Sequence, residues 1–230
     1  MALNTIFTNR IAELIGSEYS TIAANSYVDL FNAAVAEIAD MVPSQLLMKY
    51  AVDPIDLTNS PASWAHDGTA GGPEGKKVLH VTRIETSGGV ARECTIRTLM
   101  DFQRCQESTS IYKATEYSPV YAFTTDGGNT SLTIFPTPDA DESAKVYYFA
   151  YPTTDVTGAT SIAGFPNELE QAVVLKASIN ILQTYISDFV QDEEDSEMIA
   201  MLQGQLSSLE KVYTTEMSRY MEQDATPMGE

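Results

Sequence analysis

Between Leu169 and Val190, apolar side chains recur around so much of a helix that no single neighbour can cover them. Ala172, Val173, Leu175, Ile179, Leu182, Ile186 and Phe189 fall on one side, and Val174, Ile181 and Tyr185 widen the stripe. Such a helix has to be covered from more than one direction. A second helix is predicted after Asp192-Glu193-Glu194-Asp195, with Ile199, Leu202, Leu206, Leu209, Tyr213, Met217 and Tyr220 spaced by three or four as a seam for helix packing. The start signals lie in Gly164-Phe165-Pro166-Asn167-Glu168-Leu169-Glu170. Pro166 presets φ, Asn167 is a candidate cap, and Glu170 completes a capping-box spacing with acid in the positive first turn.

The opposite end of the chain is helical as well. Leu3, Ile6, Phe7, Ile11, Leu14 and Ile15 share one helical face, and Gly16 is a stop. A longer helix is expected over 22–41, its stripe formed by Tyr27, Leu30, Phe31, Ala34, Val35, Ile38 and Met41. Pro43 ends it for want of a backbone donor. Ser44 is the expected cap of a short apolar turn, Leu46 to Tyr50.

The middle has strand periodicity. From Ala51 to Lys77, Pro54, Pro61, Gly68, Gly71, Gly72, Pro73 and Gly75 break any period and predict a long irregular connection with Trp64 as a loop anchor or an interface residue. Val78–Ile84 and Val90–Ile96 flank Ser87-Gly88-Gly89 as a hairpin, Leu99 to Gln106 is one helical turn or two, and Val120–Thr124 with Ser131–Phe135 make a second hairpin around an Asp-Gly turn. Lys145 to Tyr151 alternates Val146, Tyr148 and Ala150 with Tyr147, Phe149 and Tyr151, which predicts a central or covered strand. Helices, then strands, then helices give an α+β fold: a helical bundle built from N- and C-terminal helices with an inserted antiparallel β region. The expected parts are 1–50, the N-terminal helices; 51–160, the β region with its long loop; and 161–230, the long C-terminal helices and a tail. That tail, Glu222 to Glu230, has no apolar period and is expected to be peripheral.

The search for chemistry returns no site. The stretch Gly68 to Lys77 fails the phosphate-loop pattern twice, at Ala70 and at Lys77, and reads as linker. His66 and His80 are the only imidazoles, and no nucleophile elbow accompanies them. Cys94 and Cys105 form no Cys-x-x-Cys pair and read as inert core thiols. The acidic run Asp192 to Asp195 lacks the Gly and the alternating ligands of a calcium loop. Asn129-Thr130-Ser131 matches a glycosylation triplet that matters only in a secreted protein. We therefore expect no catalytic, cofactor-binding or metal-ligating residue, no cofactor and no enzyme activity.

Charge narrows the partners. With 32 acidic and 13 basic residues the net charge is −19, which does not fit a surface that grips phosphates. Acid keeps an abundant protein soluble, and it also suits the wall of a channel through which a polyanion slides. No apolar run is long enough to span a bilayer, and the polar start at Thr8, Asn9 and Arg10 is unlike a signal peptide, so no membrane partner and synthesis in the cytoplasm are expected.

Several segments carry a resemblance. Tyr117-Ser118-Pro119-Val120-Tyr121, Leu132-Thr133-Ile134-Phe135-Pro136-Thr137-Pro138, Ala144-Lys145-Val146-Tyr147-Tyr148, Tyr151-Pro152 and the helix start from Phe165 to Glu170 with Ala172-Val173-Val174-Leu175 resemble head-to-tail adaptor, or connector, proteins of tailed bacteriophages. The likeness is good from about Tyr117 to Tyr185 and looser over the N-terminal helices. It implies a virion structural protein of the neck, forming a homo-oligomeric ring of about twelve copies beneath the portal protein. Such a ring meets tail or nozzle proteins and lets genomic DNA pass without holding it. Two other readings stand beside it: another neck or tail component, such as a stopper, terminator or tubular protein, and a soluble enzyme with an acidic cleft.

Overall fold

The computed structural model describes residues 5–16, 24–57, 63–65, 72–73, 75–84, 89–126, 129–139, 142–152, 161–192 and 196–221. Two compact units emerge: a helical unit, Met1–Tyr50 with Tyr151–Glu230, and a sheet unit, Ala51–Ala150. The architecture is α+β, with helices from both ends of the chain and sheets in the middle.

In the helical unit, α1 (Thr5–Ile15) and α2 (Ala24–Met41) both pack on α5 (Glu170–Asp192), and α6 (Ser196–Met221) packs on it from another side. The wide stripe of α5 is thereby used: Ala172, Val173, Val174, Leu175, Ala177, Ile179, Ile181 and Leu182 are all buried. Buried Ser178 is satisfied within the helix, its hydroxyl donating to the Val174 carbonyl at 2.7 Å. From α1 come Phe7, Ile11 and Ile15, from α2 Phe31, Ala34, Val35 and Ile38. The rings of Phe7 and Phe31 meet at 5.1 Å. Leu202, Leu209 and Met217 carry the seam of α6, with Ile199, Leu206, Tyr213 and Tyr220 half-buried between them. Ile6 and Met41, expected on the buried stripes, are exposed instead.

Polar contacts fix how the helices meet. Lys176 on α5 pairs with Glu37 on α2 at 2.7 Å and lies 5.7 Å from the Tyr213 ring of α6, so one ammonium ties three helices. The Gln205 amide donates to Leu14 O at 2.9 Å, satisfying a carbonyl of the last turn of α1. Gly16 ends that helix at φ 94, a left-handed stop that favours glycine. The Tyr220 hydroxyl donates to Glu168 O at 2.6 Å, returning the end of α6 to the start of α5.

Two expected caps are not formed. Pro166 holds the N-cap position of a 3₁₀ turn, Asn167–Leu169, that precedes α5, and Asn167 is the first residue of that turn. Glu170 therefore reaches back to accept from Ile162 N at 2.8 Å, with Arg10 4.0 Å away, instead of closing a capping box. Likewise Pro43, extended at ψ 140, is the N-cap of α3 (Ser44–Leu47), and Ser44 is its first helical residue. A 3₁₀ turn, Met48–Tyr50, completes that segment.

The sheet unit faces two four-stranded sheets across one core. The first has the order β1 (Ile55–Leu57), β8 (Ser143–Ala150), β3 (Lys76–Ile84), β4 (Ala91–Glu93); the second β2 (Ser63–Ala65), β7 (Asn129–Phe135), β6 (Val120–Asp126), β5 (Thr95–Ile96). Leu57, Val81, Ala144 and Val146 of the first sheet pack with Trp64, Leu132 and Ile134 of the second. Strand β8 is central, as its aromatic alternation predicts. On the other face of the second sheet, Phe102 and Cys105 of α4 (Leu99–Gln106) cover Val120 and Ala122.

Three expectations change. The irregular span from Ala51 to Lys77 contains the two short edge strands β1 and β2, and Trp64 is neither a loop anchor nor an interface residue but buried core, 5.0 Å from the Tyr148 ring. The run Val90–Ile96 is not one strand, because the chain changes sheets at Cys94. Cys94 N donates to Val81 O in the first sheet at 2.8 Å, and Thr95 N to Pro119 O at 3.0 Å beside the second. β5 then pairs with β6 in parallel, an exception in an otherwise antiparallel region. The turn residues Ser87 and Gly88, Leu3, His66, residues 193–195 and the tail from Glu222 lie outside the described residues.

One charge is buried in the sheet unit. Arg83, 1 % exposed, donates from Nε to Pro136 O at 3.1 Å and from Nη2 to Glu142 at 2.5 Å, while Glu142 also accepts from Asp139 N. The segment entering β8 is thereby pinned to β3. Cys94 lies close enough for this guanidinium to oppose, without cancelling, the effect of burial, which pushes its thiol up to about 12.

Two outcomes follow from this packing. Leu202→Ala removes a fully buried side chain from the α5 and α6 seam and will cost about 2–5 kcal/mol in urea unfolding, whereas half-buried Leu206→Ala will cost less. A loss below about 0.5 kcal/mol at Leu202 would place that face in solvent. The second concerns alkaline pH. The Cys94 thiol and the Tyr121, Tyr151, Tyr213 and Tyr220 phenols are all raised, chiefly by burial. The neutral forms are favoured by folding, so this stability is fully present below the ordinary values of 9.0 for the thiol and 10.0 for the phenols and is lost as pH climbs through the raised values, about 12 for Cys94. Thermal melts will hold level from pH 7 to about 9 and fall above it, less steeply in Cys94→Ala.

Candidate interaction surface

The sheet unit carries an apolar surface that its own core does not use. Helix α4 begins with Thr98 as N-cap, its hydroxyl oxygen accepting from Asp101 N at 3.3 Å. Since Phe102 and Cys105 face the sheet, Leu99 and Met100 are left outward, Met100 at 68 % exposure. After Gln106 the chain makes consecutive hydrogen-bonded turns. Ser110 N donates to Glu107 O and Lys113 N to Ser110 O, each at 3.1 Å, then Ser118 N to Thr115 O at 3.0 Å. Ala114 N donates to Cys105 O at 3.0 Å, which fastens the turns to α4, and Ala114 itself is buried beneath them.

This braced segment holds large apolar side chains in water. Ile111 is 90 % exposed, and Tyr112 and Tyr117 are close to 70 % exposed. Between the turns and α4 lies a hollow of about 580 Å³, lined by Ile111, Tyr112, Cys105 and Ser118 with Arg97, Arg104, Lys113 and Asp101. Arg104 is 3.5 Å from Asp101, an exposed pair of little energetic weight. On the other side of the turns Arg92 stacks over Tyr117 at 4.7 Å. Exposed single apolar residues are ordinary, but a cluster held on a rigid scaffold marks a contact surface.

Nothing in the periodicity of the chain marks this cluster as a site. Ile111, Tyr112 and Tyr117 belong to no helical or strand period, and the available signal was that lack: large apolar residues inside a turn-rich polar stretch. By contrast, the residues weighed for chemistry are spread apart. His80 on β3 has its Nδ1 3.5 Å from Glu93 of β4, a cross-strand contact. Cys94 and Cys105 are free, buried thiols in two different clusters. Lys76, which opens β3 within the stretch that fails the phosphate-loop pattern, donates to Gly72 O at 2.7 Å and sits over the rings of Trp64 and Tyr148 at 5.0 and 5.4 Å, so its charge is engaged in packing. Asn129 opens β7, paired with Asp126. Among the described residues no three His, Cys, Asp or Glu side chains gather as a metal site, and no helix is long and apolar enough to cross a membrane.

Comparison with known proteins gives a matching family. No curated protein gives a significant match. The family described as SU10 adaptor protein matches residues 1–227, which takes in both units and all the described elements. The chain belongs to the SU10 adaptor protein family, phage structural proteins of the virion neck.

Proposed function

We propose that this chain is the noncatalytic head-to-tail adaptor of its virion, and that its copies close into a ring of about twelve beneath the portal, carrying the DNA channel into the tail. Family membership over 1–227 is the observation that carries this reading. The apolar surface from Leu99 to Tyr117 supports it, since a lone soluble subunit gains nothing from holding Ile111 in water on a braced turn.

In this reading the helical unit, with its core buried by segments from both ends of the chain, is the structural body of each copy, and the sheet unit offers a surface for contacts. Portal on one side and tail or nozzle proteins on the other are the expected partners. Passing DNA is not held: at −19 the chain lacks the density of Lys and Arg that displaces counterions from phosphates. From Pro166 onward there are thirteen acidic and three basic residues, so any of this segment that faces the lumen favours sliding over sticking. A stopper, terminator or tubular component would also employ strand-rich parts, but the family match favours the adaptor.

Electron microscopy of particles tests the assignment. The expected result is a ring of this subunit docked against the portal. Density confined to the distal tail would reject the adaptor role in favour of a tail component. Native mass measurement of the protein, alone and mixed with portal, will read the copy number, expected near twelve in the mixture.

A further inference from the structure

The braced surface of the sheet unit combines knob, hollow and charge in a way that selects an occupant. Ile111 and Tyr112 project from turns tied to α4 through Ala114 N and Cys105 O, so little ordering entropy remains to be lost when they are covered. The hollow beside them is lined by three cations, Arg97, Arg104 and Lys113, against one acid, Asp101. In the sequence from Val90 to Ser118 four basic and four acidic residues balance, whereas the chain as a whole is at −19.

We propose that this surface receives a second copy of the chain, through the N-terminal half of that copy's α6. The proposal rests on the ring reading and names the contact within it. Charge complementarity points to this occupant. Six acids and no base occur from Asp188 to Glu197, and α6, which opens at Ser196 with Glu197 in its first turn, exposes Met198 and Met201, Met201 at 56 %. An acidic helix start with two flexible methionines matches a cationic hollow flanked by Ile111 and Tyr112, since methionine adapts to irregular apolar surfaces. Nucleic acid is the poorer occupant: the stretch is neutral overall, and the most exposed side chain is an isoleucine, which neither stacks on a base nor pairs with a phosphate.

The test places a photo-crosslinking benzophenone amino acid at Ile111, where 90 % exposure makes misfolding a small concern, in full-length protein assembled with portal. Electron microscopy of the same sample counts rings. The expected crosslink joins residue 111 to residues 196–212 of another copy, proved intermolecular by mixing isotope-labelled and unlabelled chains. As a second variant, Lys113→Glu will weaken ring formation by about tenfold, and Glu197→Lys in the same chain will restore it. Crosslinks to portal or to another segment of the second copy would overturn the proposal. So would rings that form without any crosslink, and in each of those cases the ring reading survives. Absence of rings with portal present would remove the ring reading and this contact with it.

Discussion

Burial of α5 on several sides is the constraint from which the helical unit is built. Four consecutive residues, Ala172 to Leu175, are buried, which no two-helix contact can achieve, because consecutive side chains point about 100° apart. Fully burying each Val, Leu or Ile contributes roughly 1.5–3 kcal/mol, so a chain lacking either α1 and α2 or α6 would leave a large part of that stabilisation unrealised. The two ends of the polypeptide are therefore held together by one helix. The sheets, inserted between them, are free to have a core of their own.

That economy explains why the helical unit was legible in sequence and the sheet unit only partly so. Apolar spacing over eleven residues or more is a strong signal, and it located α1, α2, α5 and α6 to within a few residues. Strands of two or three residues carry almost no periodicity. β1 and β2 lie among prolines and glycines that read as breakers, yet each needs only three register positions against a long neighbour, β8 or β7, to be held. The change of sheet at Cys94 was hidden for a different reason. No Gly or Pro interrupts the run from Val90 to Ile96, and only the tertiary pairing reveals that Glu93 and Thr95 belong to different sheets.

The capping predictions failed where a proline set the local geometry. At both Pro43 and Pro166 the ring occupies the N-cap position, so Ser44 and Asn167 shift one place into the turn and their side chains lose the cap's reach. Glu170 keeps a structural role by another route, accepting from Ile162 N with Arg10 of α1 nearby, and so links the helix start to the loop before it and to the N-terminal helix. The apolar cluster from Leu99 to Tyr117 was illegible because it breaks the ordinary rule that apolar residues go inside, and departures of that kind have no period to detect.

Net charge bears on assembly through its distribution. At physiological ionic strength fields decay over about 8 Å, so copies at −19 repel mainly where their surfaces come near each other. A two-fold contact presents the same patch twice, and if the acidic helices met in that way like charge would face like charge across a drying interface. The chain is unevenly charged, however: the stretch from Val90 to Ser118 is balanced, while the segment from Pro166 onward has thirteen acids to three bases. Contact between those unlike surfaces is heterologous. Each copy then offers one surface of each kind, so every contact leaves a donor patch and an acceptor patch unfilled until the chain of copies returns to its start. In the proposed ring, closure covers the apolar surface that each copy holds in water, and the charge asymmetry favours that contact over the like-charge pairing of a two-fold dimer.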